Sequence, residues 1–217
     1  MNQLNKVLIT GASGLLGRAL VESFVISGYQ VLAQYHLHRG AVGPDIRWLK
    51  GDFSTIGKVR FFLSAHKSFL RDCTCLIHAY GPIRPRKIGK LRSEDFLDAY
   101  YYNVVVAAEI TRSLMRRGRL ESVAFIGFEF AGKAGSYRDI LPYAMAKNAL
   151  LSLIKSYARA FPAVRFNLVS PPNLVGSSFQ RPGGQKVKAG DAARRIRAIA
   201  MGKRSGLHFR IKQEGRQ

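Results

Sequence analysis

The sequence is short of acidic residues, cysteine and long apolar runs, and each shortage narrows what it can be. Thirteen Asp and Glu stand against 35 Lys and Arg in 217 residues, a formal net charge of +22. That imbalance predicts attraction to polyanions and salt-sensitive contacts. The basic residues are nevertheless scattered, as at Arg84, Arg86, Lys87, Lys90, Arg92, Arg116, Arg117, Arg119, Arg194, Arg195, Lys203 and Arg204. A dedicated nucleic-acid module gathers charge and interleaves aromatics for stacking, so nucleic acid is not the favoured partner. A solvated basic surface accounts for the charge; an anionic substrate or an acidic carrier protein is the alternative. There are two cysteines, Cys73 and Cys75. Placed two apart on one face of a strand, they read as buried thiols in a reducing compartment and not as a disulfide or metal site. No stretch approaches the ~18 consecutive apolar residues of a membrane span. Met1 to Lys6 leads directly into the first apolar run, which leaves no signal peptide and predicts a cytoplasmic protein. Length and 47% hydrophobic content suit one α/β domain over 1–217, without repeats or an internal linker.

What the sequence has is a strand, a glycine turn and a helix in immediate succession. Val7-Leu8-Ile9 is followed by Thr10-Gly11-Ala12-Ser13-Gly14-Leu15-Leu16-Gly17, and Arg18, Ala19, Leu20 and Phe24 continue in helical spacing. In this arrangement Gly11 permits the turn, Gly14 lets backbone N–H groups approach a pyrophosphate, and Gly17 lets helix pack on strand. The helix N-terminus supplies unpaired donors and positive dipole. A glycine-rich turn with no ligand is the plain alternative. The context of strand before and helix after favours the dinucleotide reading.

Further runs at Tyr29–Tyr35, Ile46–Lys50, Cys75–Ala79, Val123–Ile126, Val164–Val169 and Leu207–Ile211 alternate with helical patterns. The predicted fold is α/β, a Rossmann-like doubly wound parallel sheet of about seven strands with helices on both faces. At the end of the second strand an acidic residue would bind the 2′-hydroxyl of NAD; none is present. His36, His38 and Arg39 stand there instead, beside Arg18, and suit the 2′-phosphate of NADP, although two histidines in a surface loop need no ligand. NADP(H) is therefore expected ahead of NAD(H). Asp52, before Phe53, is a candidate acceptor for an adenine amino group, with helix capping as its rival role. Ser54 is expected to cap the helix carrying Val59, Phe62, Leu63, His66 and Phe69. Ser93 should open one long helix through Met115, Pro142 another at its first turn, and Asp191 the last. Residues 176–190 read as a mobile segment covering substrate.

Several of these motifs, in order over about 6–211, resemble the short-chain dehydrogenase/reductase family. The glycine loop resembles its cofactor loop, with the second glycine one place early. Asp52-Phe53 matches the adenine position, Asn103 the helix asparagine that supports a proton relay, and Tyr143-Ala144-Met145-Ala146-Lys147 the Tyr-x-x-x-Lys signature. Ser170-Pro171-Pro172-Asn173-Leu174 stands where the family has a turn near the nicotinamide carboxamide. The resemblance implies Tyr143, Lys147 and Asn103 as catalytic residues. It implies cofactor contacts from Gly11, Ser13, Gly14, Leu15, Leu16, Gly17, Arg18, His36, Arg39, Asp52, Phe53, Ala79, Tyr80, Gly81, Tyr143, Lys147, Pro171, Asn173 and Leu174, and no metal. Four apart on a helix, Tyr143 and Lys147 share a face, and a nearby ammonium is expected to lower the tyrosine pKa. An amphipathic helix can carry such a pair without function, but its place straight after the fifth strand argues otherwise.

Two departures stand out. The serine expected after the fifth strand is replaced by Gly127-Phe128-Glu129, leaving Glu129, Ser136 or a backbone group as substitutes, and the Asn-Ala-Gly turn reads Ala79-Tyr80-Gly81. The resemblance extends to two branches. Pteridine reductases also lack the serine; 3-oxoacyl-carrier-protein reductases use an acidic carrier that would suit the charge. The expected function is NADP(H)-dependent reduction of a carbonyl or imine on a small or acyl-carrier-bound substrate, with Tyr143 donating the proton. The alternative is a dinucleotide-binding pseudoenzyme or scaffold with a polyanion-binding surface. The family also implies a homodimer or homotetramer paired through helices near 95–116 and 143–159.

Overall fold

The computed structural model describes residues 5–128, 139–179 and 186–212. In order it contains β1 (Lys6–Thr10), α1 (Leu15–Ile26), β2 (Gln30–Tyr35), β3 (Ile46–Lys50), α2 (Ile56–Ala65), the single turn α3 (Lys67–Leu70) and β4 (Cys73–His78). Then come α4 (Ser93–Tyr100), a π turn (Tyr101–Val105), α5 (Val106–Met115), β5 (Ser122–Ile126) and α6 (Leu141–Ala160). The chain continues through β6 (Arg165–Ser170), β7 (Asn173–Leu174), β8 (Lys186–Val187), α7 (Ala189–Met201) and β9 (Leu207–Arg210). Seven strands pair in parallel in the order β3-β2-β1-β4-β5-β6-β9, and β7 pairs with β8 alone. This is the expected Rossmann-like, doubly wound sheet. The chain leaves β1 toward one edge, returns to β4 and winds toward the other, so the crevice lies where β1 and β4 part.

Alternation along the strands divides the core. Val7, Ile9, Val31, Ala33, Ile77, Ala124 and Val169 pack against α1 and α7. Leu8, Leu32, Leu76, Val123, Phe125, Phe166 and Leu168 pack against α2, α5 and α6. Both faces being covered, the strands read as near-continuous apolar runs.

Four local expectations are corrected. Cys73 and Cys75 are buried free thiols, but they do not share a face: a register shift where β1 meets β4 pairs Lys6 with Cys73 and Val7 with Cys75. Cys73 thereby joins the α2/α5/α6 layer and Cys75 the α1/α7 layer. The cap of α2 is Thr55, whose hydroxyl accepts from the Lys58 N–H, and the helix stops at His66. The long helix from Ser93 is broken by the π turn. There the Asn103 amide donates to the Ala99 carbonyl, the acceptor that its own backbone N–H would use in an α-helix. The last helix starts at Ala189 after Lys188, with Asp191 in its first turn favouring the positive dipole end. Within 176–190, Lys186–Val187 is a strand and 189–190 are helical. Among the described residues, no helix is long and apolar enough to cross a membrane.

Candidate functional site

Close packing builds the turn after β1. Gly11 has φ 66°, and a Cβ on it would lie 2.9 Å from the Tyr80 nitrogen. A Cβ on Gly17 would lie 2.1 Å from the Gly11 carbonyl oxygen and 2.7 Å from Ala12 Cα. The glycines thus let the turn lie against both the start of α1 and the exit of β4. Gln34, buried at the end of β2, locks it: Gly11 N–H donates to Gln34 Oε1 at 2.8 Å, and Gln34 Nε2 donates to the Gly51 carbonyl at 2.7 Å. Sequence reading passed over Gln34, although a polar residue ending the apolar run Val31-Leu32-Ala33 was the available signal. Gln34→Leu strands two backbone polar groups and is expected to cost about 2–3 kcal/mol, checked by urea melts, with weaker nucleotide binding. Gly14 caps α1 with no side-chain acceptor for the first-turn N–H groups, and Gly14 and Leu15 are exposed. Ser13 and Leu16 complete this edge, and the uncapped donors fit an anionic pyrophosphate.

Beside the turn, Arg18, His36 and Arg39 are exposed. Arg18 Nε donates to the Ser13 carbonyl at 2.9 Å, and its Cγ would be 3.9 Å from a Cβ on Gly40. Trp48 Nε1 holds the loop by donating to the Ala41 carbonyl at 2.8 Å. Asp52 accepts from Ser54 N–H (2.8 Å) and Lys58 Nζ (2.6 Å), with His36 Nε2 at 3.9 Å. The Lys58 bond, then the Ser54 N–H, hold the Asp52 carboxyl down at about 2. Phe53 is buried and turns its ring to Phe62 and Tyr80, both at 5.2 Å.

At the carboxyl ends of β4 and β5, Lys147 is buried and donates to the Ile126 carbonyl at 2.8 Å, with its Nζ 5.4 Å from the centre of the half-buried Tyr143 ring. Burial lowers the Lys147 ammonium to about 7 and raises the Tyr143 phenol above its ordinary value. The expected lowering of the tyrosine is therefore reversed: desolvation acts on both groups, and the lysine spends a donor on the Ile126 carbonyl. Ala79 and Tyr80 lead to Gly81, where a Cβ would sit 2.3 Å from Asn103 Oδ1 and 3.1 Å from Lys147 Nζ. Gly81 is thus the residue that lets Asn103 and Lys147 approach the β4 exit.

Phe128 lies beside Tyr143, ring centres 5.8 Å apart. Glu129 and Ser136 lie outside the described residues. Pro171, Asn173 and Leu174 follow β6, and a Cβ on Gly176 would be 4.0 Å from Leu15, which brings this segment to the start of α1. No cluster among the described residues could hold a metal ion.

A family model described as "NAD dependent epimerase/dehydratase family" matches residues 7–217. The cis-2,3-dihydrobiphenyl-2,3-diol dehydrogenase of Rhodococcus globerulus is 29% identical over 196 residues, 80% of this chain; the match spans 66% of that enzyme's length. The short chain dehydrogenase of Leptospira borgpetersenii, solved with bound NAD+, superposes with TM-score 0.84 at 19% identity, covering 96% of this chain and 91% of its own. The 3-ketoacyl-(acyl-carrier-protein) reductase of Brucella melitensis, solved with NADH, gives 0.83 at 20% identity over 95% and 96%. The chain belongs to the NAD dependent epimerase/dehydratase family, and its fold is that of the short-chain dehydrogenases with which it superposes.

Proposed function

We propose, from that membership, that the chain binds NADP(H) over β1 and β4 and reduces a carbonyl or imine on a small or carrier-bound substrate. The observation that carries this reading is the convergence of Tyr143, Lys147 and Asn103 around Gly81, one strand from the glycine turn. The uncapped first-turn N–H groups of α1, Leu15 to Gly17, would receive the pyrophosphate beside Ser13 and Gly14; Arg18, His36 and Arg39 would pair with the 2′-phosphate, and Asp52 would accept from the adenine amino group. Ala79, Tyr80 and Gly81 would line the path toward the nicotinamide, and Pro171, Asn173 and Leu174 would hold its carboxamide. The reduced nicotinamide supplies the hydride when bound there. Tyr143 gives its phenolic proton to the substrate oxygen or nitrogen as the new C–H bond forms. The Lys147 ammonium then opposes the charge of the phenolate left behind.

The exposed Leu97, Tyr100 and Met145 line an apolar groove of about 890 Å³ between α4 and α6. It supports self-association through these helices. The basic surface likewise supports an anionic or acyl-carrier-bound substrate.

Calorimetric titration with NADPH and NADH tests the cofactor reading. NADPH is expected to bind the more tightly, and Arg39→Ala to weaken it about tenfold, or 1.4 kcal/mol, while leaving NADH unchanged. Equal affinities, or an Arg39→Ala loss shared by both nucleotides, would count against NADP preference. Binding without turnover across a panel of carbonyl and pterin compounds would favour the pseudoenzyme reading, which the absence of the expected serine directly after β5 supports.

A further inference from the structure

The cavity beside Tyr143 is lined by charge. Arg84, Asp95, Asp98 and Tyr102 border it together with Pro142 and Tyr143, between the chain leaving β4 and helix α4. Its volume is about 20 Å³, room for one oxygen-sized group. The segment 82–92, which forms one wall, carries Arg84, Arg86, Lys87, Lys90 and Arg92 and no acid. This wall is pinned at three points. Arg86 Nε lies 3.3 Å from Asp95 Oδ1, the Arg92 N–H donates to Asp95 Oδ2 at 2.9 Å, and the Arg86 N–H donates to the Asp139 carbonyl at 2.7 Å. Both oxygens of Asp95 are therefore committed to holding the wall against the start of α4.

Arg84 is held differently. Its Nη1 donates to Asp98 Oδ2 at 2.9 Å, and its guanidinium lies over the Tyr102 ring, 5.3 Å from the ring centre. Among the described residues it makes no other polar contact, so one of its five N–H donors is spent. Ring and carboxylate fix the plane of the fork and leave its remaining donors for a second acceptor. With Arg84 and Asp98 65% and 50% exposed, their pair contributes little, and the guanidinium can serve a ligand at small cost. Five cations on the wall against Glu94, Asp95 and Asp98 on α4 leave the mouth of the cavity positive.

We propose that Arg84 is the specificity-determining residue of this site, selecting substrates that carry a carboxylate within a few bonds of the group to be reduced. Arg84 and Tyr143 border the same small space. A substrate whose carbonyl lies at the tyrosine reaches the guanidinium with its acid group only when the two are close together in the molecule. Keto acids are the class that meets this condition, and one carboxylate oxygen matches the room beside the fork. This rests on the reading of Tyr143 as proton donor given above.

The test is ligand-observed NMR with phenylglyoxylate and acetoacetate, each beside its uncharged methyl ester. Affinities are measured on the protein alone and with NADP+, the oxidised nucleotide, which cannot reduce them. Each acid is expected to bind about tenfold more tightly than its ester, the increment for a charge-assisted hydrogen bond at a partly exposed site. Arg84→Gln changes an exposed side chain, so the fold should be kept, and acid and ester should come within about twofold of each other. Arg84→Lys, which keeps the charge and loses the fork, should retain the preference at a smaller ratio. An acid preference that survives Arg84→Gln belongs to the basic surface at large and overturns the proposal. Equal binding of acid and ester, or binding of neither, also overturns it. Because nothing is turned over, loss of the preference in Arg84→Gln stands whether or not the chain reduces any carbonyl. Reduction of neutral ketones by NADPH with no acid preference would instead keep the reductase reading and remove this one.

Discussion

Tyr143→Phe is expected to lower kcat about 10³-fold, within the range for loss of a positioned general acid, while nucleotide affinity stays within about twofold of wild type. The substitution removes one oxygen and keeps the ring that packs on Phe128 and lies 5.4 Å from Lys147 Nζ. Its effect should therefore fall on the chemical step and not on binding. Because burial raises the phenol, Tyr143 stays protonated across the neutral range, the state that the proposed reduction requires. The same burial makes the phenolate costly unless a positive charge faces it, and Lys147 is that charge only while protonated. Its ammonium is lowered to about 7, so it is charged below that value and neutral above it. The kcat/KM for reduction, which reports the free enzyme, should then be level below pH ~7 and decline above it. Stopped-flow oxidation of NADPH across this pH range, using whichever carbonyl or pterin is turned over, measures both effects. A Tyr143→Phe variant within tenfold of wild type would remove the tyrosine from the reaction.

The second large effect is expected at Gly17, far from any reacting atom. Gly17→Ala places a methyl 2.1 Å from the Gly11 carbonyl and 2.7 Å from Ala12 Cα, and both neighbours are backbone that no rotamer change can move aside. The turn must open or α1 must lift from β1. The expected cost is about 3 kcal/mol, a fall in Tm of about 6–12 °C for a domain of this size. Nucleotide affinity is expected to drop by about two orders of magnitude as the pyrophosphate donors lose alignment. Gly14→Ala is the control: its Cβ would meet only the Gly11 carbonyl, at 3.4 Å, a contact that a small adjustment relieves. Equal losses at the two positions in calorimetric titration and thermal melts would mean that helix–strand packing is not what Gly17 provides.

How legible each feature was depends on the range over which it is determined. Val7 to Gly17 was readable because strand, turn and helix are contiguous, and the apolar runs elsewhere announced a parallel sheet covered on both faces. The one-residue shift opposite Lys6 was not readable, because it is set by pairing between segments almost seventy residues apart, and it moved Cys73 and Cys75 onto opposite faces. The π turn was hidden for another reason: Tyr101 to Val105 keeps helical spacing, and only the Asn103 amide bonded to the Ala99 carbonyl reveals the distortion. Tyr143, Lys147 and Asn103 were singled out in the sequence, and the fold gathers them near Gly81. The reversed shift of the tyrosine was not, since desolvation belongs to the assembled site and not to the spacing of two residues. Gln34 and His78 each carried a weak signal, a polar residue closing an apolar strand, which becomes informative only when their partners across the sheet are known.

The placement of β1 in the middle of the sheet has a consequence during protein synthesis. One side of this strand is paired by β2, which follows directly in sequence, but the other side waits for β4. Between the emergence of Tyr35 and that of Cys73 about 40 residues must be translated, some 2–8 s at 5–20 residues per second. Throughout that interval the nascent chain carries a bare apolar strand edge, bordered by Val7, Leu8 and Ile9, with nothing of its own to close it. The ribosome-bound intermediate is thus the stage at which this chain is most open to capture by chaperones or by a neighbouring copy, and pausing upstream of β4 would lengthen it.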